Sequence, residues 1–177
     1  YVGAAAYPKF VGGLSFSGDW KGIDLSFLFQ AGLGRDVALT GVYSGGIMDN
    51  TQMTKPFYHG GNSPKYLVEN SWREDNTNAE FPRLSIVQAS SNNAYSSTFW
   101  YRSGDYLRLK NLQIGYTFPQ KWMSRIGIDR LRIYFEGQNL WTVSELTKFN
   151  IDPEQPGVSN GYYPQQRIFS FGVNLAF

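Results

Sequence analysis

The side chains best suited to chemistry fall in two Gly-, Asn- and Ser-rich stretches. Carboxylates recur at Glu69, Glu74 and Asp75, and again at Asp152 and Glu154. Paired carboxylates can serve acid–base catalysis or hold calcium, but neither group has EF-hand-like spacing, and such pairs are common in solvated loops. His59 is the single histidine and cysteine is absent, so His-cluster metal sites, thiolate sites and disulfides are excluded. The glycine pairs at Gly12-Gly13, Gly45-Gly46 and Gly60-Gly61 lack the strand–loop–helix setting of a phosphate cradle and read as strand and turn glycines. No catalytic residue, cofactor or metal is assigned, and an enzyme is not expected. The other candidates are aromatic. Tyr58, Trp72 and Tyr95, with Tyr66 among them, have flat apolar rings that can stack on the C–H face of a sugar, with Asn or Asp beside them to bond hydroxyls. The same rings would equally serve to pack the loop on itself or against a partner protein.

Composition narrows the class. The chain has 177 residues and a net charge of +2, and no Lys/Arg run offers a nucleic-acid footprint. No apolar stretch approaches the roughly 20 residues of a membrane helix. The start, Tyr1-Val-Gly-Ala-Ala-Ala, lacks the basic and apolar regions of a secretory signal and reads as the middle of a protein. Aromatic residues make up 17%, with 19 glycines, which favours strands over helices.

Alternation locates the strands. Phe169, Phe171, Val173, Leu175 and Phe177 are large and apolar, whereas Ser170, Gly172, Asn174 and Ala176 are small or polar. Successive strand side chains point to opposite faces, so one face is apolar and the other wettable. The same pattern runs through 9–20, with Phe10, Leu14, Phe16 and Trp20 on one side. It resumes in 23–34 after Lys21-Gly22, a two-residue hairpin turn. In 105–118, Leu112, Ile114, Tyr116 and Phe118 share a face, and unbroken alternation adds Arg108 and Lys110 to it. In 130–141, Leu131, Ile133 and Phe135 share a face opposite Arg132, Tyr134, Glu136 and Gln138. Pro119 ends one strand, and 120–128 reads as about one helical turn stopped by Gly127. Segments 35–100 and 142–164 have no period. The spacing predicts a short helix within 64–73, capped from Asn62 or Ser63 ahead of Pro64.

Antiparallel order puts the two short connections at one end and the two long ones at the other, an asymmetry expected of bacterial outer-membrane barrels. Lipid would then meet Leu112, Ile114, Leu131, Ile133, Phe135, Phe169, Phe171, Val173 and Leu175. Arg108 and Lys110 would snorkel at the outer rim. Phe99, Trp100 and Tyr101 read as an outer aromatic belt, and Trp20, Tyr116, Phe118 and Phe177 as the opposite one. Five or six strands cannot close a barrel, the smallest having about eight, so the chain is expected to be part of a larger one. A porin or secretion-linked scaffold, and a secreted glycan-binding β-sandwich, remain as alternatives.

The run from Gly104-Asp-Tyr-Leu-Arg-Leu to Gly115-Tyr-Thr-Phe-Pro119 resembles a signature of SusC/RagA-type TonB-dependent outer-membrane transporters. So do Leu131-Arg-Ile-Tyr-Phe-Glu-Gly-Gln-Asn-Leu-Trp141, Asp152-Pro-Glu154, Tyr163-Pro164 and Ser170 to Phe177, in that order. The stretch Trp72 to Arg83 is similar to a loop of the same family, departing from it at Asp75 and Thr77. The resemblance implies a barrel of roughly 22 strands around a plug, in the outer membrane of a Gram-negative bacterium. It implies TonB-driven uptake of oligosaccharide or peptide with a SusD-like surface lipoprotein as lid. Residues 1–177 would be the C-terminal segment of that barrel, with the plug, the TonB-contacting part and earlier strands upstream, and Phe177 would act as a C-terminal assembly signal.

Overall fold

The computed structural model describes residues 5–39, 64–84, 97–156 and 165–177. They divide into two compact units. One, built from Lys9–Leu33, Tyr106–Ser144 and Gln165–Phe177, is a sheet. Its strands are β1 (Phe10–Trp20), β2 (Ile23–Leu33), β5 (Tyr106–Thr117), β6 (Arg130–Ser144) and β7 (Ile168–Ala176), antiparallel in that spatial order. The other contains the remaining pair, β3 (Asp36–Ala38) and β4 (Tyr101–Ser103), and the short helix α1 (Lys65–Glu69).

Turn chemistry sets the register of the sheet. Lys21 and Gly22 both have positive φ, 50° and 86°, as a two-residue turn requires to match strand twist. The β5–β6 connection holds helix α2 (Gln120–Met123) and a 3-10 turn that ends at Gly127, φ 73°. Both short connections lie at one end of the sheet and both long ones leave from the other, as the alternation implies.

The face assigned to Arg108 is corrected by the register. Leu28 pairs with Asn111 and Phe29 with Leu109, so Lys110 is an extra residue against β2. Against β6, Leu109 pairs with Trp141 and Asn111 with Gln138. Asn139 lies between them at φ 53°, a left-handed conformation that Asn tolerates. One bulged residue reverses the alternation beyond it. Leu107 and Leu109 therefore join the face of Leu112 and Ile114, and Arg108 joins the polar face. It is 3% exposed, and its Nε donates to Thr142 Oγ1 at 2.9 Å. Lys110, at the bulge itself, donates to Gln165 Oε1 at 3.4 Å. The Gln-Asn-Leu-Trp motif of 138–141 thus encodes a bulge. Leu140 folds over Gly137, where a Cβ would lie 2.6 Å from it.

On the polar face an ion pair crosses a whole strand. Arg132 of β6 donates through Nε and Nη2 to Asp24 of β2, at 2.9 and 2.5 Å. The strand between them is β5, and the residue beneath is Gly115, where a Cβ would run into both partners. The Arg132 guanidinium also lies 4.8 Å from the Tyr134 ring, and that ring covers Gly172. Overpacking of this kind typically costs about 1–3 kcal/mol. We expect Gly115→Val in the full-length protein to displace the pair and lower the urea midpoint, by an unfolding free energy of that order. Gly13→Ala, whose Cβ would meet nothing closer than 3.4 Å, should leave the midpoint unchanged.

Candidate functional site

The feature that dominates the sheet unit is its apolar face. Phe169, Phe171, Val173 and Leu175 of β7 stand on it, and Phe171 is 82% exposed. They continue across Leu131, Ile133 and Phe135, then Ile114 and Leu112, then Ile23, Phe27 and Phe29, to Leu14 and Phe16. The rings meet in rows: Phe16 on Phe27 at 5.4 Å, and Phe135 on Phe171 at 5.2 Å. All nine residues expected to meet lipid lie on this one face. Trp20 and Tyr116 stand at its short-turn end, and the Tyr116 and Phe118 rings are 4.9 Å apart. Among the described residues no second layer covers the face, whereas a β-sandwich would cover it. Strands β1 and β7 each pair on one side only among the described residues.

The second unit contains a small core of its own where the sequence shows no period. Leu39, Leu67, Phe81, Trp100, Leu146 and Phe149 are buried together. Trp100 stacks on Phe81 at 6.1 Å and is 4% exposed. It therefore belongs to this core and not to an aromatic belt. Helix α1 is shorter than the 64–73 expected. It ends at Asn70, whose N–H and side-chain amide both donate to the Tyr66 carbonyl. The chain then reverses, with Trp72 N–H donating to the Phe81 carbonyl and Phe81 N–H to that of Asn70. This closes the Trp72 to Arg83 motif into a compact loop.

A charged network sits beside that core. The Tyr66 hydroxyl donates to Glu80 Oε2 at 2.7 Å. Arg102 Nη2 and Lys148 Nζ each donate to Glu80 Oε1 at 3.2 Å. Glu145 approaches Arg102 at 3.8 Å and Lys148 at 3.9 Å, and accepts the Ser103 N–H at 3.0 Å. The Lys148 ammonium lies 4.7 Å from the Phe149 ring. Burial alone would raise the Glu80 carboxyl, but hydrogen bonds from Tyr66, Lys148 and Arg102 outweigh it and hold the group below its usual 4.5. The hydrogen bond to Glu80, and then burial, raise the Tyr66 hydroxyl. Sequence reasoning passed over Glu80, because its partners come from segments as far as 68 residues away.

Of the aromatic candidates, Tyr58 and Tyr95 lie outside the described residues, as do His59, Gly45-Gly46, Gly60-Gly61 and Tyr163-Pro164. Tyr66 packs on Phe149 at 5.2 Å. Trp72 remains 38% exposed, on the wall of a hollow of about 400 Å³. The carboxylate groups do not converge on one point. Asp75 pairs with Arg73 at 3.2 Å, Glu69 with Lys65 at 3.5 Å, and Asp152 Oδ1 accepts the Glu154 N–H at 2.9 Å. Among the described residues no three His, Asp or Glu are grouped to hold a metal.

A depressed carboxyl stabilises the fold above its unfolded value and loses that contribution as pH falls through the folded value. Glu80 should therefore hold the second unit closed at pH 7 and release it below about pH 4.5. We expect hydrogen exchange of segments 65–81 and 98–103 in the full-length protein to rise on acidification. Glu80→Gln should raise exchange already at pH 7, by about 1–2 kcal/mol of lost protection, and flatten the acid response.

No family model matches the chain. It is 28% identical to TonB-dependent receptor P3 of Formosa agariphila over an alignment 183 positions long that covers 96% of this chain. It is 30% identical over 105 residues, 58% of its length, to TonB-dependent receptor SusC of Bacteroides thetaiotaomicron. It spans only 16% and 10% of those proteins. Its fold matches the RagAB peptide importer in the open-open state, with a TM-score of 0.66 and 27% identity over 98% of this chain and 18% of that one. These relatives are receptors and importers, not enzymes. In sequence and in fold, over nearly all its length, the chain is similar to a segment of TonB-dependent receptors of the SusC/RagA type.

Proposed function

We propose that residues 1–177 form the C-terminal wall of a barrel of roughly 22 strands in the outer membrane of a Gram-negative bacterium, and that the complete protein imports oligosaccharide or peptide. In this reading a plug and the remaining strands belong to the rest of the protein. TonB supplies the energy through that other part, and a SusD-like lipoprotein closes the outer side. Tyr58, Trp72 and Tyr95 are the cargo-facing candidates.

The observation that carries the reading is the broad exposed apolar face on a sheet whose two edges are unpaired among the described residues. A monomer in water rarely leaves so large a contiguous apolar surface bare. Strands of 9–12 residues, the lengths of β1, β2, β5 and β7, suit a tilted crossing of a bilayer. In hydrocarbon an unpaired edge costs several kcal/mol per backbone group, so both edges need further strands. The relatives named as TonB-dependent receptors, and the neighbour titled a peptide importer, support transport over a porin-like role.

The two faces of β7 provide the test. A lipid-facing Arg costs about 2–4 kcal/mol at the midplane, whereas a lumen-facing one does not. In the full-length protein, Phe171→Arg should cut the folded, heat-modifiable form in the outer-membrane fraction about tenfold or more. Ser170→Arg, on the opposite face, should stay near wild type. Equal tolerance of both substitutions would remove the barrel reading.

A further inference from the structure

The hollow beside Trp72 contains more than a ring. Val68, Ser71 and Leu84 also line it, and Arg73, Glu74 and Arg83 are its charged lining. Arg73 is already committed: its Nε donates to Asp75 at 3.2 Å and its Nη1 to the Val68 carbonyl at 3.1 Å. Arg83 and Glu74, by contrast, make no ion pair or side-chain hydrogen bond among the described residues. The backbone holds Trp72 outward. Ser71, its neighbour in the Ser71–Phe81 bridge, is 2% exposed and donates to the Val68 carbonyl at 2.9 Å, whereas Trp72 beside it stays 38% exposed on the wall of the hollow. Exposing this much indole is unfavourable in water and favours a partner that covers it.

We propose that this hollow is a subsite for the carboxyl-terminal residue of a short peptide, within the import function proposed above. The three kinds of lining group match three parts of such a residue. A guanidinium without a partner binds a carboxylate bidentately. An apolar floor beside an indole takes an aliphatic side chain. A carboxylate on the same rim, Glu74, accepts the peptide N–H next to it. A neutral sugar would use the indole but would gain little from Val68 and Leu84 and nothing ionic from Arg83. Local bonds within one loop hold the backbone around Trp72 before cargo arrives, so the ordering cost of binding falls mainly on the Arg83 and Glu74 side chains.

Calorimetry on the full-length protein, purified from outer membranes with its co-purifying partners, tests this. The probes are an acetylated tripeptide ending in leucine with a free carboxylate, the same peptide as its amide, and a uronate trisaccharide. The free acid should bind about tenfold more tightly than the amide. Arg83→Gln should abolish that difference, Arg83→Lys should keep part of it, and Trp72→Ala should weaken both peptides. The proposal is overturned if acid and amide bind alike, if Arg83→Gln leaves their ratio intact, if the trisaccharide binds and the peptides do not, or if no probe binds. If the protein is a folded outer-membrane barrel and any of these occurs, only the subsite fails. If acid-selective binding is found but Phe171→Arg and Ser170→Arg are tolerated equally, the barrel reading fails and the subsite stands.

Discussion

The constraint on which the sheet depends is that every strand must keep one face apolar and hydrogen-bond its backbone to a neighbour. Leu14, Phe27, Ile114, Phe135 and Phe171 meet the first condition on five successive strands. The continuous ladders between β1 and β7 meet the second. Neither condition is worth much in water, where a bare apolar face is a liability and an edge can bond to solvent. In hydrocarbon both become obligatory. In the barrel proposed above, the sheet would meet that medium, which the sequence names only indirectly, through side-chain alternation.

That alternation made the five long strands legible, and their bounds agree with it to within about three residues. Turn chemistry was legible too, because Lys21-Gly22 and Gly127 each sit where a positive φ is needed. The bulge was missed because unbroken alternation over 105–118 was read from its apolar end backwards. The signal was present. Leu107 and Leu109 occupy odd positions and Leu112 and Ile114 even ones, and two in-phase apolar runs out of step with each other require an extra residue between them. Reading it would also have spared the sheet a cation on its apolar face, since Arg108 moves to the polar side with the shift.

The second unit was not legible as a core, and the reason is distance along the chain. Leu39 donates its N–H to the Trp100 carbonyl, and Glu80 bonds to Lys148, so no local window contains both partners. Composition suggested an irregular loop, and by secondary structure it largely is one. Yet burial of Phe81, Trp100 and Phe149 against one another gives it the packing of a small domain. Tyr66 shows how a ligand-type residue is absorbed by such packing: its ring lies on Phe149 and its hydroxyl on Glu80. Trp72 escaped absorption because the Ser71–Phe81 bridge turns it the other way.

Glycine ties these features together on the polar face. Gly115 lets Asp24 and Arg132 meet across β5, and Gly172 lets the Tyr134 ring lie flat against β7. Glycine in a strand weakens it by its flexibility and its missing side chain, so its presence there points to a close approach by something else. At both positions that partner is a side chain of the sheet itself. The lumen-type face is thus stiffened by an ion pair and a ring lying across strands, and it does not rely on a packed core. In the proposed barrel, a wall between lipid and a wet interior would have no core to rely on. Side chains lying across neighbouring strands are a way for a single layer of sheet to hold its register.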